Sequence, residues 1–116
     1  MRILILLAFV IVGCSGSGSE LLLETGSTVT LSGTVVDVNT EPMAVDGDGV
    51  ITIETDDGET ARIFVAAGEG SCSAEGLQLI GEVAVGDRVE AQGRVVGGAN
   101  VRPCEGDDHY LRRADG

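Results

Sequence analysis

Few side chains here could do chemistry, and the histidine is the natural place to begin. His109 is the only one in 116 residues, and it follows Asp107-Asp108. An imidazole beside carboxylates is the raw material of a general base or a metal site. Catalysis, however, needs a nucleophile and an orienting acid that converge in space, and no serine sits in a nucleophile-elbow context. Acids adjacent in sequence point to different faces of an extended segment. His109 therefore reads as a surface histidine near the chain end. With Tyr110 it forms at most a small exposed recognition patch. No catalytic residue and no cofactor is expected, and the chain does not read as an enzyme.

The acids are the second group. Asp46-Gly47-Asp48-Gly49 and Asp56-Asp57-Gly58-Glu59 carry them in two short runs. Calcium wants six or more oxygens in a shaped loop, and the twelve-residue spacing that ends in glutamate is absent. Asp and Gly also make tight turns for conformational reasons alone. These runs read as turns, with Asp46, Asp48, Asp56 and Asp57 as weak metal candidates. An acidic, cation-responsive domain is the alternative functional reading they leave.

The third group is the cysteines at 14, 72 and 104. Cys14 ends an apolar run, Ile3–Val12, that is preceded by Met1-Arg2 and followed by Ser15-Gly16-Ser17-Gly18-Ser19. Ten apolar residues suit a signal segment and reach only half the roughly 20 needed to span a bilayer. The stretch Ile11-Val12-Gly13-Cys14 resembles the lipobox of bacterial lipoproteins. That resemblance implies cleavage before Cys14, lipidation of its thiol, and an anchor of several acyl chains, which holds where one chain would be marginal. Ser15, standing where an aspartate would signal inner-membrane retention, implies by the same analogy the outer membrane, facing the periplasm. The alternative is the outer face of the cytoplasmic membrane. The expected organisation is a signal peptide over 1–13, lipidated Cys14 with a flexible tether over 14–26, and one domain over 27–116.

Export changes the reading of the other two cysteines. An even pair in an oxidising compartment forms a disulfide, and neither neighbourhood offers the Cys-x-x-Cys or histidines of a redox or zinc site. Cys72–Cys104 should stabilise the fold by roughly 3–4 kcal/mol through loop closure.

Charge narrows the partners. Without residues 1–13 the chain keeps six arginines, no lysine and 19 acids, so its formal charge is 6 − 19 = −13. Such a surface repels phosphate backbones, and no stretch of sequence gathers the arginines into a basic stripe. Only Phe64 and Tyr110 remain as aromatic rings, too few for a single-strand stacking platform. Nucleic acid is not an expected partner.

The elements that must position these residues are strands. From Ser27, Val29 and Leu31 alternate with hydroxyl residues, and Val35, Val36 and Val38 follow Gly33. Val50–Thr55 and Thr60–Val65 flank an Asp-Gly turn, a strong hairpin signal that buries Ile51 and Ile53 on one strand and Ala61, Ile63 and Val65 on the other. After a small-residue stretch over 66–82, in which Ser71–Gly76 could form one turn, Val89, Ala91 and Val95 mark a further strand. Asn100–Cys104 makes the next, resuming at His109–Arg112. Gly33 and Gly93 allow long strands to coil or bend. The expected fold is all-β: a small closed or partly open barrel of five to six strands, with an SH3-like barrel or a small sandwich as alternatives. Ser32-Gly33-Thr34-Val35-Val36 and Val85–Val95 resemble the strand pattern of OB-fold domains, although no helix is evident between the third and fourth strands.

Anchor, charge and missing catalytic set together imply an envelope lipoprotein. Its barrel would serve as a non-enzymatic binding or structural module for a protein or glycan partner.

Overall fold

A computed structural model describes residues 23–45, 47–66, 72, 74–104 and 108–114. It is all-β: β1 (Thr28–Asn39), β2 (Gly49–Thr55), β3 (Thr60–Val65), β4 (Arg88–Gly97), β5 (Asn100–Arg102) and β6 (Tyr110–Arg113). The lipobox with Cys14 and most of the tether lie outside the described residues. Among the described residues, no helix is long and apolar enough to cross a membrane.

Closure follows from the length of β1. Its 12 residues pair with β4 through Thr28–Thr34 and with β2 from Gly33 onward, both antiparallel. Gly33 belongs to both ladders, and a Cβ there would overlap the carbonyl of Glu54. Glycine at this point is therefore what lets one strand coil from one half of the wall into the other. The register shift of β1 falls later, between Val35 and Asp37, where the strand leaves Val36 exposed. β2 and β3 form the expected hairpin. Gly58 turns it in the left-handed region at φ 85°, while Thr55 N–H donates to the Glu59 carbonyl at 2.8 Å. β5 then joins β4 antiparallel and β3 parallel. The ring β1-β2-β3-β5-β4 is closed, with β6 added outside it along β4. This is the OB-like strand order.

Inward positions alternate as the hydrophobic pattern requires. Ile51, Ile53, Ala61, Ile63, Val65, Val89, Ala91, Val95 and Val101 are fully enclosed. No α-helix stands between β3 and β4 among the described residues. The turn there is a 3-10 segment at Leu77–Gly81, later than the Ser71–Gly76 position expected from composition. Its Ile80 and the following Val83 are buried and add to the core. A second 3-10 turn, Glu41–Val45, occupies the β1–β2 connection.

Cys72 and Cys104 are joined by a disulfide with a Cα separation of 4.4 Å across 32 residues of sequence. Cys104 follows β5 by two positions, so the bridge ties the shortest barrel strand to the β3–β4 connection.

Candidate functional site

His109 is buried, contrary to the expectation of a surface histidine. Strand alternation is the reason. Leu111 points into the core, so His109 two residues earlier enters the same side, and Tyr110 and Arg112 face outward. The His109 Nδ1 accepts the Cys104 N–H at 3.2 Å, and its carbonyl accepts the Glu75 N–H at 3.3 Å. The imidazole thus braces the disulfide end of the barrel rather than facing a ligand.

Tyr110 is the half of the proposed patch that stays outside. Its hydroxyl donates to Glu90, and the Arg112 guanidinium lies over its ring at 4.5 Å while also pairing with Glu90 at 3.0 Å. The hydrogen bond to Glu90, then partial burial, then the Glu90 charge raise the phenol above its ordinary pKa. A shallow groove of about 330 Å³ runs beside it, walled by Glu75, Gln78, Leu79 and Arg112.

The acidic runs are not assembled into a cation site among the described residues, where no group of three or more ligating side chains forms. The carboxylate of Asp48 is gripped by Arg102, with Nε–Oδ2 at 2.7 Å and a second contact at 3.4 Å. Asp56 takes the fork of Arg88 at 3.1 and 3.4 Å. Asp57 is exposed at the hairpin tip, and Asp46 lies outside the described residues. Asp48 and Asp56 flank the two ends of seven-residue β2, so roughly 20 Å of strand separates them. One ion cannot bridge that distance.

A different cluster emerges that no stretch of sequence displays. On the outer face of β3, β5 and β4, Arg62 stands beside Asn100, and Arg102 stands directly opposite Arg94. Three of the six arginines that follow Arg2 meet there, in a chain without lysine. Like charges facing each other across a ladder cost stability, and the face offsets this: Asp48 pairs with Arg102, and Arg62 and Arg94 have partners of their own. Between them the side-chain carbonyl oxygen of Asn100 is buried and has no hydrogen-bond partner. Phe64 follows Arg62 on the same face, half-buried. With strands about 4.8 Å apart, the cluster spans roughly 10–12 Å, the width of one or two sugar rings or a short peptide. The local signal was there: each arginine sits between two small or apolar neighbours on its strand, which turns it outward. That the three strands adjoin was not.

Fold and site together define an OB-like barrel with one added strand, one disulfide and an outer face that gathers three arginines. No family model and no curated protein matches this chain, so the class rests on topology and side-chain placement.

Proposed function

We infer that this chain is an envelope-anchored lipoprotein whose barrel is a non-enzymatic binding module for a protein or glycan partner. The anchor is read from Ile11-Val12-Gly13-Cys14. Leu23 already packs on the core, so the nine residue steps from Cys14 to Leu23 set the reach of the leash, up to roughly 30 Å. The outer membrane, with the barrel in the periplasm, is the location that Ser15 favours.

One observation carries the binding role. The Asn100 side-chain carbonyl oxygen is buried without a donor, at a cost of about 1–3 kcal/mol, in the middle of the outer face of β3, β5 and β4. A fold that needed only stability would replace that arrangement. A partner supplying that donor would repay the cost.

Two measurements test this reading. Intact mass of the protein made in a bacterium with lipoprotein processing should show a chain beginning at acylated Cys14. A photo-crosslinker at Phe64 should capture a discrete partner in the native envelope, while one at Val85 should not. An unmodified amino terminus, or equal capture from both positions, would refute it.

A further inference from the structure

We propose that the open edge of β1 takes an extended basic peptide, added to the sheet as one more strand. This surface is separate from the β3–β5–β4 face, and nothing in it rests on that face or on the anchor. In the β1–β4 ladder, Val95 N–H donates to the Ser27 carbonyl and Val35 N–H to the Asp87 carbonyl, both at 2.8 Å. An antiparallel ladder alternates, so odd-numbered residues from 27 to 35 face β4. Thr28, Thr30 and Ser32 therefore turn their N–H and C=O groups to the opposite edge. β2 covers that edge only from Gly33 onward, because the chain turns away at Thr55, whose carbonyl accepts the Gly58 N–H at 2.9 Å. On that side the three residues have no backbone partner among the described residues.

A cleft of about 230 Å³ lies along this edge, between residues 30–32 of β1 and residues 55–59 of the hairpin tip. Main-chain pairing gives affinity for any extended segment, and the surroundings choose which one. The tip supplies carboxylates. Asp56 reaches Arg88 on the outer face, where Arg88 also touches Thr34, whereas Asp57 and Glu59 have no ion-pair partner among the described residues. On the inner face the edge presents half-buried Val29 and buried Leu31. Directly paired residues point their side chains to the same face, so the strand that fits alternates cations outward with aliphatics inward. Five residues of β1 run about 16 Å, so a segment of about five to seven residues fills the edge. The overall formal charge of −12 draws such a segment in and repels acidic strands. It equally repels a second copy of this chain, the usual hazard of an open edge.

The test titrates the full chain with three capped heptapeptides, following backbone amide resonances and hydrogen exchange. One alternates lysine and valine, one has glutamate in place of lysine, and one is the lysine peptide N-methylated at its lysine amides. The lysine peptide should shift the amides of Thr28, Thr30 and Ser32 and slow their exchange, while Val101 stays unchanged. The glutamate peptide should not bind. N-methylation removes the donors that face β1 and should weaken binding by at least about tenfold. Asp57→Asn combined with Glu59→Gln should weaken the lysine peptide roughly three- to tenfold with unchanged melting temperature, since both are exposed pairs. Absence of lysine-peptide binding, equal binding of the glutamate or N-methylated peptide, or indifference to the double variant would overturn the proposal. Protection of the same three amides in the peptide-free chain, rising with protein concentration, would give the edge to a second copy and overturn it as well.

Discussion

Replacing Gly93 with alanine tests whether the barrel is closed as tightly as its geometry indicates. Gly93 points inward on β4 at the place where the chain leaves β5 through Arg102-Pro103. A Cβ built there meets Pro103 N at 2.6 Å and the Arg102 carbonyl carbon and oxygen at 2.7 Å. Ordinary contact begins near 3.4 Å, so β4 and β5 must part by about 0.7–0.8 Å. All three obstructing atoms are backbone, and no side-chain rotation relieves them. Overpacking of this kind costs about 1–3 kcal/mol. Loosening one or two ladder hydrogen bonds adds about 1 kcal/mol each, and the stiffer unfolded chain returns about 0.4–1 kcal/mol. The net loss is about 2–4 kcal/mol, or a melting point lower by on the order of 10–30 °C for a domain of this size. Gly58→Ala is the control, because at φ 85° it carries backbone strain with nothing within 4 Å. It should cost about 1 kcal/mol or less. Urea unfolding followed by circular dichroism measures both. Equal small losses, or a Gly93→Ala protein as stable as the parent, would refute the closure described.

Further outcomes follow from single sites. Replacing Cys72 and Cys104 by alanine should cost roughly 3–4 kcal/mol on the loop-closure estimate for their 32-residue separation, read as a shift in urea midpoint. A change within error would mean that the bridge only rides on the fold. Asp87 is held below its usual carboxylate range, first by the Ala84 N–H and then by Arg113. A depressed folded value stabilises the native state above the ordinary aspartate range, and that contribution is lost as pH falls through the folded value. Asp87→Asn should therefore lower stability near neutrality and flatten the acid limb below about pH 4, since the variant has no such contribution left to lose. Tyr110 is the only tyrosine, so phenolate absorbance reports it alone. Its raised pKa should fall toward the ordinary value in Glu90→Gln. Because the folded state holds that proton longer, stability should decline as pH rises through the phenol range.

The core was legible from the sequence because period-two alternation says which residues share a face, and Ile51, Ile53, Ala61, Ile63, Val89 and Val95 all obey it. The hairpin was legible because Asp-Gly chemistry is local. His109 was misread as exposed, although the signal existed: Leu111 is the nearby aliphatic residue, and facing it inward carries His109 with it. Polar neighbours hid this, since Asp107-Asp108 made the segment look like surface. The arginine face was beyond reach for another reason. Each outward arginine could be phased on its own strand, yet the parallel pairing of β3 with β5 joins segments separated by the whole of the β3–β4 connection and all of β4. No local preference encodes it.

Closure and the arginine-bearing outer face are the same joint seen from its two sides. β5 has three residues, and the inner one, Val101, completes the core while the outer two, Asn100 and Arg102, make the centre of the face. A strand so short cannot hold its register by ladder bonds alone. It is fixed by Pro103 against Gly93, by the disulfide at Cys104, by His109 accepting the Cys104 N–H, and by Asp48 clamping Arg102. Four unlike restraints converge on three residues. They also fix the spacing of Arg62, Asn100, Arg102 and Arg94 on the outer face. Loosening any restraint should then blur the face before it unfolds the barrel, so the Arg94 and Arg102 side-chain resonances should broaden in Asp48→Asn while the Ile51 and Ile53 methyl signals stay sharp.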